Sequence, residues 1–488
     1  MKNNIKYIIV FVWSTMLFGC VDLNEIPEGQ LSPESYYTSG DALRAAVTGI
    51  YGSAYGWYSG YDTPNYALFG SILAEDACTG LTGYNLLNIN SGNSDIKNIW
   101  ALHYRWIGNA NLIIGNLDNP GISEKDLKYA EGQARFMRAL GYFYLTRYFG
   151  EIPIITNENS SIANEVGQST FSEIHEFIVN DLRIAEDKLE MSYDNDKAMA
   201  TKGSAKALLA KVYLTMAGWP LEDDSYYALA RDKAKEVMDM GVYSLESDFK
   251  DLWLEKNKLS NSEFIFTFYG SSDDIGSASH LHTASRSSSE KGWTNIYSEE
   301  RFFNVFPEGY RKEVSFHTVF NDGTNWQDVN PRQPFISKYR DAGELAATFD
   351  SDVISFDGDG FTPILRYADV LLIYAEAANM AENGPSAAAL EAINKVRRRA
   401  MKLDPDTPNA SVDLTSMSKD DFDDAVIAER NWELAFENNR WFDVVRKNKV
   451  VEFYQPLYPQ YVTENTHLLP KPATEVNAIE GLEQNPGY

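Results

Sequence analysis

From Asp126 to Tyr148 the apolar and small side chains fall on one stripe. Ala130, Ala134, Met137, Gly141, Tyr144, Leu145 and Tyr148 recur three or four positions apart. Only an α-helix brings residues at that spacing onto a single face. Gly150 and Pro153 follow and stop it. The pattern returns in Lys202 to Ala217, through Leu208, Leu209, Val212, Tyr213 and Met216, before Gly218-Trp219-Pro220. Ala228 to Met240 ends at Gly241, and Tyr367 to Ala378 ends at Asn383-Gly384-Pro385. Ala387 to Arg399 and Asp421 to Arg446 complete the set. Helices apolar on one side must bury those sides against each other, and Ala134, Ala207, Ala210, Ala375 and Ala377 allow close approach. The predicted class is therefore mainly α: tetratricopeptide-repeat-like helical hairpins with an irregular period. The scaffold covers about 95–245 and 364–488 of a single domain, 41–488.

Two stretches break the helical pattern. Tyr51 to Asn93 is rich in Gly, Ser, Asn and Tyr. Phe264 to Gly360 is longer, with one apolar run, Phe264-Ile265-Phe266-Thr267-Phe268, that reads as a short strand. Loop-rich insertions of this length on a stiff scaffold are where binding residues concentrate.

The first residues are an address. Lys2 and Lys6 precede an apolar run from Tyr7 to Phe18 that is too short to span a bilayer. It reads as a signal peptide, 1–19. Leu17-Phe18-Gly19-Cys20 is similar to a bacterial lipobox, so Cys20 is expected to be acylated, with 20–40 as a tether. Several acyl chains hold a protein at a membrane where one does so only marginally.

Composition narrows the ligand. The formal charge of −27 excludes nucleic acid, whose phosphates require Lys and Arg, and suits an uncharged ligand. Two cysteines exclude a disulfide framework, leaving Cys78 as a small buried side chain. No Gly-x-Ser-x-Gly elbow, phosphate loop or His-Glu-x-x-His helix is present. Asp350, Asp352, Asp357 and Asp359 do not match the EF-hand spacing and read as a solvated acidic loop rather than a Ca²⁺ site. His280 and His282 lack a third ligand nearby in sequence, so no metal and no cofactor is expected.

Several segments in order resemble the SusD/RagB family of outer-membrane nutrient-binding lipoproteins. They are Cys20-Val21-Asp22-Leu23-Asn24, Glu131 to Ala139 with Tyr148 to Pro153, and Leu365 to Ala377. Glu429 to Glu437 with Arg440 to Arg446, and Leu469 to Pro472 with Gln484 to Tyr488, complete the match. The resemblance implies a non-enzymatic lipoprotein, exposed on the cell surface, that binds a glycan. It further implies a lid on a SusC-like TonB-dependent outer-membrane transporter, which performs the uptake. A peptide ligand, as in RagB-type branches, is the alternative. A surface glycoside hydrolase and a pure assembly scaffold are further readings.

For a glycan, aromatic faces match the C–H faces of a sugar ring, and amides match its hydroxyls. The candidates are Trp57, Tyr58, Tyr61, Tyr84 and Asn85 in the first insertion, and Trp293, Asn295, Tyr297 and Trp326 in the second. Arg366, Arg440 and Arg446 read instead as structural partners of Glu376, Glu433 and Asp443.

Overall fold

The computed structural model describes residues 36–58, 68–80, 82–193, 198–271, 280–320, 322–341 and 358–488. The signal peptide and Cys20 lie outside them, as does Tyr61. Most long helices begin where a side chain can satisfy their first N–H groups. Helix α1 is Gly40–Tyr58. Asn93 accepts from the N–H of Asp95 and Ile96 (2.8 and 3.1 Å) to open α2, Ser94–Ile114. Ser123 caps α3, Glu124–Phe149. Thr170 and Glu173 form a reciprocal capping box at α4, Phe171–Lys188, and Thr201 with Ser204 does the same at α5, Lys202–Met216. Then come α6, Ser225–Asp239, and α7, Tyr367–Ala381. Ser386 caps α8, Ala387–Ala400, and Ser418 caps α9, Lys419–Glu433; α10 is Arg440–Arg446.

Consecutive helices from α1 to α6 pack side by side, α6 packs on α7, and α7 packs on α8 and α9. This is the mainly helical, repeat-like scaffold expected. Two boundaries differ from expectation. Tyr51–Tyr58 is the last part of α1 rather than loop, because Leu43, Val47, Ile50 and Ala54 continue one fully buried stripe. Asp421–Arg446 is two helices, not one. Phe436 and Asn438 adopt left-handed φ of 65° and 59° between α9 and α10. The break is held by Lys338, whose Nζ donates to the carbonyls of Glu433 and Ala435 (3.1 and 2.8 Å). The N–H of Phe436 donates to Asp76 (2.9 Å).

The strands are β1 (Ala77–Thr79), β2 (Phe264–Tyr269), β3 (Ile296–Ser298), β4 (Phe316–His317), β5 (Phe335–Ile336) and β6 (Phe361–Arg366). They pair as antiparallel couples, β1 with β3, β2 with β6, and β4 with β5. The strand expected at Phe264–Phe268 is β2, and it lies against the segment that leads into α7.

A buried ionic network locks the second insertion to the scaffold. Arg366 reaches Glu263 (2.7 Å), Glu433 (2.6 Å) and Glu437 (2.6 Å). Glu433 also pairs with Arg399 (2.6 Å) and with Arg311 of the insertion (2.8 Å), and Lys338 pairs with Glu437 (2.7 Å). Arg446 joins Glu376 (2.7 Å) and Asp443 (2.8 Å). The structural roles read for Arg366 and Arg446 therefore hold. Arg440 differs, since its Nε donates to the Ala74 carbonyl (3.2 Å) and its guanidinium sits 5.7 Å from the Phe302 ring centroid. Removing one member of such a pair strands a buried charge, at a cost of about 3–5 kcal/mol.

Candidate functional site

The two insertions meet at β1 and β3, with Ala77 opposite Ser298, Cys78 opposite Tyr297 and Thr79 opposite Ile296. Beneath this ribbon lies a small core of its own, formed by Cys78, Tyr297, Phe320, Trp326 and Phe335. Long loops often carry such satellite clusters. The cluster decides the fate of two candidate rings. Trp326 is 6 % exposed and lies edge-on to Phe303, and Tyr297 is 8 % exposed and leans on Phe335. Tyr84 is buried as well. Its hydroxyl bonds Asn93 and Asp95 at the start of α2, and its ring lies edge-on to Phe69. These three rings fill the interior and offer no open face to a sugar, contrary to the expectation that they form platforms. Trp57 and Tyr58 close α1, and their side chains are outside the described residues, like Tyr61.

Beside the ribbon opens a cleft of about 210 Å³ lined by Glu75, Asn85, Glu299 and Tyr458, among others. Asn85 is fastened to β1: its Nδ2 donates to the Thr79 carbonyl (2.7 Å) and its Oδ1 accepts the Thr79 N–H (3.2 Å). Each of those atoms keeps a further hydrogen-bonding position. Arg301 bridges the rim, with Nη2 at 3.0 Å from Glu75, 3.3 Å from Glu299 and 2.7 Å from the Tyr458 hydroxyl. Burial raises the Glu75 carboxyl, and the hydrogen bond from Tyr458 and the charge of Arg301 offset part of that rise. Burial also raises the Cys78 thiol well above its usual range, helped by the negative charge of Glu299. Cys78 therefore carries its proton at neutral pH and is no nucleophile.

The chain entering β3 makes a tight turn that presents Trp293. The N–H groups of Trp293, Thr294 and Asn295 donate to the carbonyls of Thr283 (2.9 Å), Arg286 (2.9 Å) and Ala284 (3.0 Å). Lys291 and Thr294 flank the tryptophan with φ of 60° and 56°. Gly292 lies so close to Arg286 that a Cβ there would stand 2.4 Å from its carbonyl oxygen. Such backbone persists where surroundings force it, and binding sites are common places for it. Glu290 braces the turn through His317 (3.0 Å) and Arg340 (2.8 Å). Burial works to raise its carboxyl, but these partners outweigh that and hold it down at about 2. Trp293 and Asn295 remain half-buried, and the Trp293 ring stacks on His280 (5.7 Å between centroids, 13° between planes).

A model of the SusD family matches residues 289–488, and one described as starch-binding associating with outer membrane matches residues 65–214. The chain belongs to the SusD-like family. It is 28 % identical over 517 residues to SusD-like protein P2 of Formosa agariphila, covering 99 % of this chain and 100 % of that one. A SusD homolog from Bacteroides thetaiotaomicron superposes with a TM-score of 0.79 at 23 % identity, covering 93 % of this chain and 98 % of that one. A laminarin binding SusD-like protein superposes with a TM-score of 0.76 at 22 % identity, covering 93 % and 100 %.

Sequence reasoning about this SusD-like protein missed Glu75, Glu299, Arg301 and Tyr458. They are charged or aromatic residues without a motif. The pairing of β1 with β3 brings Glu75, Glu299 and Arg301 together, and Tyr458 arrives from the C-terminal segment, which is anchored by the Tyr454 hydroxyl on the Ala74 carbonyl (2.9 Å). His280 and His282 are buried, and among the described residues no group of three His, Cys, Asp or Glu is placed to hold a metal. Of the acidic loop, Asp350, Asp352 and Asp357 lie outside the described residues. No described helix is long and apolar enough to cross a membrane.

Proposed function

We propose that this SusD-like protein captures a glycan at the β1–β3 ribbon and passes it, uncut, to a SusC-like TonB-dependent transporter in the outer membrane. Acyl chains on Cys20 hold it at the cell surface. The observation that carries the reading is the convergence of both insertions on one braced surface, where the half-exposed Trp293 and Asn295 stand on the turn that enters β3, and Glu299, just beyond β3, lines a cleft together with Glu75 and β1. The laminarin-binding neighbour supports a glycan as the ligand class. The family description supports association with the outer membrane. Buried cations anchor the insertion, so the surface is organised before the ligand arrives and little ordering entropy is lost on binding.

Affinity electrophoresis and calorimetry against a panel of polysaccharides and peptides test the ligand class. Glycan retention with no release of reducing ends is expected. Binding of peptides alone would move the protein to the RagB-type branch, and reducing-end release would make it a hydrolase. A pull-down from outer membranes that recovers a large barrel protein would support the transporter partnership.

A further inference from the structure

A second cleft, of about 390 Å³, opens between Leu87–Ser91, Gln460–Thr466 and Pro486–Tyr488. That volume lies within the range of small-ligand sites. In a chain of net charge −27, its lining contains no Asp, Glu, Lys, Arg or His. The polar lining consists of amides and hydroxyls, with Asn88, Asn90, Gln460 and Asn465 foremost. Each such amide both donates and accepts, as a sugar hydroxyl does. The side-chain amides of Asn88, Gln460 and Asn465 make no hydrogen bond to the described residues, so their capacity is available. Tyr461, half-buried, and Tyr488, 42 % exposed, add aromatic surface for C–H faces.

The walls are fixed. Asn485 Nδ2 donates to the carbonyls of Phe149 (3.0 Å) and Leu469 (2.7 Å), and the Tyr488 hydroxyl donates to the Leu468 carbonyl (3.0 Å). Gly487 takes a φ of 96° against Asn465, where a Cβ would meet the Asn465 Cβ at 3.1 Å. Ser91 accepts the Ala473 N–H (2.9 Å). The Asn485–Tyr488 segment, recognised in the sequence only as a family signature, thus builds one side of a cleft.

Position gives the cleft its meaning. Leu86 lines the Glu75–Glu299 cleft and Leu87 lines this one; Tyr458 lines the first and Gln460 the second. The two clefts follow each other along the same pair of loops. We propose that the second cleft is an extension subsite for a neutral glycan, which accepts further sugar units of a chain held at the β1–β3 ribbon. This rests on the proposed function for the ligand class and goes beyond it in assigning a second site and a preference for length.

The test is calorimetry with neutral oligosaccharide ladders of two to eight sugars, from laminarin, xyloglucan and other neutral polysaccharides. The wild-type chain is compared with Asn88→Ala/Gln460→Ala/Asn465→Ala, with the cleft-filling Asn465→Trp, and with Trp293→Ala. Melting curves check that each variant folds. Wild-type affinity should rise at least tenfold from the shortest to the longest oligosaccharide. Both cleft variants should lose that rise while keeping the affinity for the shortest, and Trp293→Ala should weaken all lengths. A length-dependent gain that survives in the folded cleft variants overturns the second subsite and leaves the proposed function standing. Absence of neutral-glycan binding by the wild-type chain overturns both.

Discussion

A tryptophan that grips a sugar and a tryptophan that fills a core differ only in what covers them. Trp293 is half-buried at a strained turn, whereas Trp326 is sealed in the small core with Cys78 and Phe335. The two should respond oppositely to truncation. Trp326→Ala is expected to destabilise the fold by about 3–5 kcal/mol, read as a lowered denaturant midpoint. Trp293→Ala is expected to cost about 2 kcal/mol of glycan binding, roughly thirtyfold in Kd, with little change in melting temperature. Glu290 adds a pH signature. Its carboxyl is held at about 2 in the fold, below its unfolded value of about 4.3. Its contribution is therefore complete above the unfolded value and fades as pH falls towards 2. Glu290→Gln should lower the urea midpoint at pH 7, and the gap from wild type should shrink steadily between pH 4.5 and pH 2.5.

Among the elements, the break between α9 and α10 carries much of the order in the site. It receives Lys338 from the insertion and Asp76 from the approach to β1, so the ribbon and the scaffold are fixed at one place. Glu433 is the most connected carboxylate there, facing Arg366, Arg399 and Arg311. Glu433→Ala should cost about 3–5 kcal/mol, measured by chemical denaturation, because it strands buried guanidinium groups. The helices were legible in the sequence because a 3.6-residue stripe is a local signal. The break was not, because the left-handed backbone at Phe436 and Asn438 is held by partners distant in sequence: Lys338 on the Glu433 and Ala435 carbonyls, Asp76 on the Phe436 N–H and Ser71 on the Asn438 N–H. The site was legible in part for the same reason. Aromatic residues in an irregular stretch serve equally as platform or as filling, and the need for a core beneath a long insertion sent Tyr297 and Trp326 inside. Glu75 and Glu299 lie 224 positions apart and meet only once β1 pairs with β3.

On the scale of the whole molecule, a stiff array of paired helices presents one braced surface assembled from two distant insertions. On the proposed reading, a receptor that loads and then releases a polymer needs many modest contacts rather than one deep pocket, which the half-exposed Trp293 and the neutral amides would supply. Crystallising the chain with an oligosaccharide selected from the glycan panel tests this directly. Sugar density is expected against Trp293 and the mouth of the Glu75–Glu299 cleft, with the glycosidic bonds intact. Density confined to another face of the helical array, or a cleaved glycan in the crystal, would contradict it.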